Sequence, residues 1–328
     1  MHTLIPGPFF AAARIYPLLL LALAVALLAI MPETVMAADG DPGGNSVMPW
    51  WGWSLALFAV CFLLGIVAVP AGIGGGVLFV PIVAGFFPFH LDFVRGAGLL
   101  VALASALSAG PALLRNGLSS LRLALPLALI GSISSIIGAM MGLALPTAIV
   151  QTALGITILG IVVVMATAKK SEFPAVPVAD SLSTRLGMYG VFVDAASGRT
   201  VNWRLHRTPA GLALFFVIGF LAGMFGMGAG WANVPALNLV MGAPLKIAAG
   251  TSGLILSLVD SSATWIYLNQ GAVLPVIAAP SVIGIMLGAR IGARLLTVLN
   301  ASIIRRLVIT LLLFAGLRAL LKGLGIWA

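Results

Sequence analysis

The chain has 328 residues, of which 61% are hydrophobic and only 8% charged, and its formal net charge is +9. Water-soluble domains carry about 25% charged residues, so a soluble fold of this length is excluded for want of polar surface. An excess of Lys and Arg would point to nucleic acid in a soluble protein. Here the basic residues lie between apolar stretches, where they orient a membrane protein, and no nucleic-acid partner is implied.

In chain order, Arg14 precedes the apolar stretch Ile15–Ile30, Pro32 follows it, and Val35-Met36-Ala37 resembles a small-residue cleavage site. Segment 1–37 is either a cleaved signal peptide or an uncleaved first helix, and both readings put residues 38–49 outside. Beyond it, residues 50–70, 97–114, 123–145, 148–168, 210–224, 253–268, 272–289 and 301–317 are almost free of charge. Several reach the ~20 residues needed to cross ~30 Å of hydrocarbon. The runs are continuously apolar, not alternating, so they predict helices and an all-α integral membrane protein rather than a barrel. Cys61 is the only cysteine and sits in such a run; neither a disulfide within the chain nor a Cys-based metal site can form, and it reads as a packing residue.

The chain is duplicated. Phe62-Leu-Leu-Gly65 recurs as Phe216-Val-Ile-Gly219, an offset of 154 residues, and the same offset carries Gly72, Gly74 and Gly76 onto Gly226, Gly228 and Gly230. It also carries Pro81 onto Pro235, Gly96 onto Gly250, Pro126 onto Pro280 and Gly138-Ala139 onto Gly292-Ala293. Chance likeness between apolar helices is common, but gapless agreement of Gly and Pro is not. Repeat 1 spans 50–168 and repeat 2 spans 209–322. Residues 169–208 between them contain charges of both signs with Pro174 and Pro177, and read as a solvated cytoplasmic linker. Within it Tyr189–Asp194 and Arg199–Leu205 partly alternate around 195–198, the pattern of a small β-hairpin.

Each repeat opens with an apolar element interrupted by glycines, Gly72-Ile-Gly-Gly-Gly76 and Gly226-Met-Gly-Ala-Gly230, with Pro81 or Pro235 five residues on. Clustered Gly disfavours regular helix, and Pro removes a donor and kinks or ends it. Three further helices follow in each repeat. If the broken elements cross fully, both repeats share one orientation and Arg115, Arg122, Lys169, Lys170 and the basic linker fall outside. If they are re-entrant, each repeat has three crossings and the second is inverted. These residues and Arg290, Arg294, Arg305 and Arg306 then all fall inside, as the positive-inside tendency asks, and only Arg95, Arg318 and Lys322 are misplaced. The second scheme is preferred, with the uncharged 143–147 connection outside and the protein multi-pass in the cell (inner) membrane.

Inverted repeats with broken helices are the architecture of secondary transporters. Unwound backbone in a bilayer is tolerated only beside a cavity or protein, and a half-helix N-terminus turns unpaired N–H groups and partial positive charge toward it. A small anion is the natural guest, bound at Gly72, Gly74, Gly75, Gly76 and Pro81 from repeat 1 and Gly226, Gly228, Gly230 and Pro235 from repeat 2. The competing reading is that these glycines only permit close helix packing.

These paired motifs, with Gly242-Ala-Pro-Leu-Lys-Ile-Ala-Ala-Gly-Thr-Ser252, resemble the sulfite exporter TauE/SafE family over roughly residues 50–170 and 208–322. The resemblance implies a permease for sulfite, a sulfonate or a related organosulfur anion. Two departures stand out: Ala229 takes the place of the middle glycine of the second cluster, and Gly96-Ala97-Gly98 stands where repeat 2 has Gly250-Thr251-Ser252.

Polar side chains gather around the second break only. Trp231, Asn233, Asn238, Thr251 and Ser252 correspond to Val77, Phe79, Ala84, Ala97 and Gly98, so repeat 2 is expected to supply the anion's hydrogen-bond donors; structural glue between helices is the alternative. Arg290 is a candidate anion contact or a residue that snorkels to the surface. Asp260 is the only acid well inside a predicted span, and such a residue is either a proton-coupling group or the ionised half of a structural pair with a cation such as Arg290. No cofactor or metal is implied. No Gly-x4-Gly-Lys-Ser/Thr sequence occurs, so the chain has no ATPase motif of its own. A passive anion channel is the alternative to a secondary transporter, and no paired acids or His-Glu-x-x-His sequence point to an enzyme.

Overall fold

The computed structural model describes residues 50–71, 74–115, 117–167, 174, 176, 178–194, 199–295 and 301–326; segment 1–37 and Gly72 lie outside them. The elements are α1 (Trp50–Ala71), α2 (Gly75–Phe86), α3 (Leu91–Arg115), α4 (Leu121–Ala144), α5 (Thr147–Thr167) and α6 (Ser181–Arg185). Strands β1 (Gly190–Asp194) and β2 (Arg199–Trp203) follow, then α7 (Thr208–Phe225) and α8 (Gly230–Pro235), which runs into a π-helical turn (Ala236–Val240). The chain closes with α9 (Leu245–Asn269), α10 (Pro275–Leu295) and α11 (Ala301–Gly323). Among the described residues six helices are long and apolar enough to cross a membrane: α1, α3, α4, α5, α7 and α10. Large apolar side chains remain exposed along them, as on α4, where Leu121, Leu125, Leu129, Ile133 and Ile137 form an outward stripe. In water such a stripe would be a liability; against lipid it is the expected outer surface.

Where helices meet one another the residues are small, since in lipid association depends on close van der Waals approach. Gly284, Gly288 and Gly292 of α10 lie on the backbone of α1 at Phe58, Phe62 and Gly65–Ile66. Gly131 and Gly138 of α4 lie in the same way on α7, at Phe215 and Phe220. In both pairs the numbers rise together, so the helices run parallel. Helix α9 also runs parallel to α4, with Thr251 beside Ser120 and Val259 beside Ser135. It is antiparallel to α3: Arg95 faces Tyr267, while Ala102 and Asp260 both border Gly228. Helices α5 and α11 pack antiparallel, Gly155 against Leu320 and Gly323 against Thr152.

Both broken elements double back. The Trp53 ring at the start of α1 packs 5.9 Å from Phe87 and from Phe89, just beyond the end of α2. At the start of α7, the His206 N–H donates to the Met241 carbonyl (3.1 Å), immediately after the π turn. Pro81 stays inside α2, and Pro235 marks the change from α to π geometry.

The linker strands pair antiparallel, Gly190 opposite Trp203 through Asp194 opposite Arg199. Asp180 fastens this segment to the membrane helices. Its carboxylate accepts from the Ser183 N–H (2.6 Å), the Thr208 N–H (2.5 Å) and the Thr208 hydroxyl (3.0 Å), capping α6 and α7 together. Partial burial works against the charged form, but these hydrogen bonds outweigh it and hold the carboxyl below its ordinary value.

Candidate functional site

The two glycine breaks meet in the middle of the molecule. Gly74 is the N-cap of α2 and offers no side-chain cap to the first-turn N–H groups. Helix α7 closes at Gly226 (φ 67°), whose N–H reaches the Ala222 carbonyl, and Gly228 (φ 73°) turns the chain again before α8. Both φ values lie in the left-handed region that glycine alone enters freely. The contact between the breaks is as tight as backbone allows: a methyl group on Gly230 would lie 2.7 Å from the Gly74 nitrogen, and one on Gly76 would lie 2.6 Å from the Met227 carbonyl oxygen. The Leu256 side chain of α9 touches both Gly74 and Gly230.

Besides the Arg95 Nε, polar atoms of three side chains on α8 and α9 have no hydrogen-bond partner. Asn233 is completely buried, and neither its amide nitrogen nor its oxygen is bonded. The buried Trp231 indole N–H is likewise free. Asp260 lies one helical turn beyond Leu256 and is also completely buried, with both carboxylate oxygens unpartnered; a methyl group on Gly228 would sit 2.8 Å from Oδ2. Buried polar groups in proteins are nearly always bonded, so orphans such as these require an explanation.

The remaining candidates divide. Gly75, Gly76 and Pro81 are buried in α2. Thr251 and Ser252 are buried but sit eight or nine residues from Asp260, about 12–14 Å along the helix. There Thr251 Oγ1 accepts from the Ser120 N–H (3.1 Å), tying α9 to the α3–α4 loop. The Asn238 amide donates to the Ala243 carbonyl (2.8 Å). The Thr251 bond links distant segments of the chain, as the structural alternative expects, and the Asn238 bond is local, from the π turn to the loop before α9. Arg290 is exposed on α10, and the pair with Asp260 is not formed.

One residue with a role at the junction escaped the sequence reading. Arg95, counted there as a misplaced cation, is 1% exposed. It ion-pairs with Asp92 one turn away, donates Nη1 to the Met224 carbonyl (2.9 Å), and lies 5.8 Å from the centre of the Tyr267 ring. The Tyr267 hydroxyl reaches the Gly223 and Met224 carbonyls (3.0 and 3.3 Å). Together they satisfy the carbonyls that α7 leaves open where it breaks, with a cation at the negative end of the helix. The signal was Asp92 three residues before Arg95, a spacing that makes a local pair.

The chain matches the sequence profile of the family described as sulfite exporter TauE/SafE over residues 57–319. It is 29% identical over 119 residues to the probable membrane transporter protein YunE of Bacillus subtilis (strain 168). That alignment covers 36% of this chain and 44% of YunE, so it spans less than half the length of that relative. No solved structure matches. With a profile match over most of its length, a multi-pass helical architecture and two glycine breaks at its centre, the chain belongs to the sulfite exporter TauE/SafE family of membrane transporters.

Proposed function

We propose that this protein is a secondary transporter for a small anion, sulfite, a sulfonate or a related organosulfur anion, and that the anion binds where the two glycine breaks meet. The observation that carries the reading is the junction itself: the uncapped first turn of α2 meets Gly230, the first residue of the short helix that carries the orphaned Trp231 indole N–H and Asn233 amide. Backbone and side-chain N–H donors with no acceptor suit oxyanions. The glycines keep the backbone free of side chains where the oxygens must approach.

The cycle uses two inverted repeats with re-entrant breaks. Contacts related by the 154-residue offset support this. Gly65 lies on the Ile285 backbone as Gly219 lies on that of Gly131, and Gly96 lies on Ala272 as Gly250 lies on Leu118. Such an exchange of partners is what a pseudo-two-fold axis produces. Helix α1 runs with α10, α10 with α3, and α3 against α9; α9 runs with α4 and α4 with α7, so α1 and α7 point oppositely. The return of each broken element to its starting side supports re-entrance. Alternating access then follows from rocking one repeat against the other around a fixed central site. The linker 169–208 faces the cytoplasm, where its basic residues belong.

The test is counterflow in proteoliposomes with labelled sulfite, screened against sulfate, thiosulfate, sulfoacetate, taurine and simple carboxylates. A carrier gives saturable uptake accelerated by unlabelled anion on the far side. Flux that neither saturates nor responds to trans anion identifies a channel instead. For topology, in a Cys61→Ala background an impermeant thiol reagent applied to intact cells should label a cysteine at position 144 but not at 175; the reverse pattern overturns the orientation.

A further inference from the structure

We infer that Asp260 is the proton-carrying group of this transporter, neutral while the anion is bound and charged when the site is empty. The inference rests on the anion site proposed above. The carboxylate is wholly buried at the sixteenth of the 25 residues of α9, beside Gly228 and Ala102, with both oxygens unpartnered.

Among the described residues no cation is bonded to it. Of the elements packed on α9, α3 carries Asp92, Arg95 and Arg115, α4 carries Arg122, and α7, α8 and the π turn carry no ionisable side chain. On α9 itself the titratable groups are Lys246 and Tyr267. Tyr267 is seven residues from Asp260, and Arg95 is seven from Ala102, about 10 Å along each helix. The two terminal nitrogens of Arg95 are in addition committed to Asp92 and the Met224 carbonyl, which leaves only its Nε unpartnered. Asp92, Arg115, Arg122 and Lys246 are ten or more residues from that level, about 15–20 Å.

A carboxylate held in hydrocarbon without a donor or cation is costly, so its charge must be matched by something that arrives. A metal ion needs several oxygens, and no cluster of acids or histidines exists among the described residues. A proton needs one. It is taken from a hydronium ion on the side where the site first opens, leaving water and forming an O–H bond on Asp260, and that bond breaks to return the proton to water on the opposite side when the site opens there. The uncapped first turn of α2, through Gly74, lies across from the same break and offers a positive pole. An ionised Asp260 and a bound monoanion would compete for it, two like charges in one dry site. Anion binding therefore requires protonated Asp260, and the site holds one negative charge in either state. In repeat 1 the corresponding residue is Ala106, so one proton travels with one anion.

The experiment uses the full chain in proteoliposomes with the membrane potential clamped and labelled sulfite as probe. The wild type should accumulate sulfite down an inward acid gradient. Asp260→Asn should lose this drive at least tenfold. Its counterflow relative to wild type should rise with pH, because its side chain never ionises; the ratio cancels sulfite's own protonation. Asp260→Glu should keep the drive with a displaced pH profile, which also serves if the Asn variant does not fold. Undiminished acid-driven uptake in Asp260→Asn, or an unchanged profile in Asp260→Glu, overturns the proposal. So does a wild type driven by a sodium gradient and not by protons, although saturable counterflow would leave the anion reading standing. Loss of all sulfite, thiosulfate and sulfonate counterflow in the wild type would overturn both.

Discussion

The two glycine breaks share a backbone and differ in chemistry. Each lets a helix end, turn and restart in the middle of the molecule, and each presses against the other through glycine. Around the first break the side chains are Val77 and Phe79, both fully buried and apolar; around the second they are Trp231, Asn233 and Asp260. The glycines that the geometry demands recur at both breaks, while the side chains around them differ. An unbonded polar group in a dry interior is destabilising, so packing alone would favour the Phe79 solution in both halves. On the proposed reading, the orphaned Trp231, Asn233 and Asp260 concentrate the ligand chemistry at the second break, and the first contributes shape and the positive end of α2.

Bulk at the junction should have the largest effect, and the same effect from either side. Gly76→Val and Gly230→Val each drive a branched side chain into backbone 2.6–2.7 Å from the first added carbon. Both should reduce counterflow to background at matched membrane levels. If only the repeat 2 variant fails, the first break is not part of the site.

The chemical asymmetry is tested by a smaller change. Asn233→Ala removes a donor to a charged ligand, worth about 1.5–3 kcal/mol, so anion affinity should fall roughly tenfold or more. Phe79→Leu keeps the first break apolar, and its affinity should stay within about twofold of wild type. Equal losses from the two, read as half-saturation in counterflow, would erase the distinction between the breaks.

The smallest effect concerns how the second broken element begins. Helix α7 starts from Arg207, a non-glycine residue at φ 55°, and its first turn is held by Asp180. Asp180→Ala removes a cap and should cost about 1 kcal/mol at neutral pH. Because the folded carboxyl titrates below its ordinary value near 3.8, the contribution is present above that pH. It is lost as pH falls through the folded value. Thermal unfolding of the detergent-solubilised protein should separate the two forms at pH 7 and bring them together at the acid end of the range. A difference that persists there would assign the cost to packing.

Much of this was legible before any fold was known, for local reasons. Lipid demands long uncharged helices, so the runs that became α1, α3, α4, α5, α7 and α10 stand out in composition. Gly and Pro act on their own backbone, so the breaks at 72–76 and 226–230 and the offset between repeats are visible as letters. Thr251 shows where this stops. A hydroxyl two residues from a motif looks the same whether it faces a ligand or Ser120, 131 positions away. Arg95 was misjudged for the same reason: its partner on Met224 is 129 residues distant.

The sequence by itself determined the solvent, the recurrence of Gly and Pro at a fixed offset and the places where helix must yield. Each follows from the properties of a residue and its near neighbours. Only the tertiary structure decided that the breaks touch through Gly74 and Gly230, that Arg95 and Tyr267 close the open end of α7, and that Asn233 and Asp260 have no partner. Whether a buried polar group is satisfied depends on atoms brought from far along the chain, and no local pattern encodes their arrival.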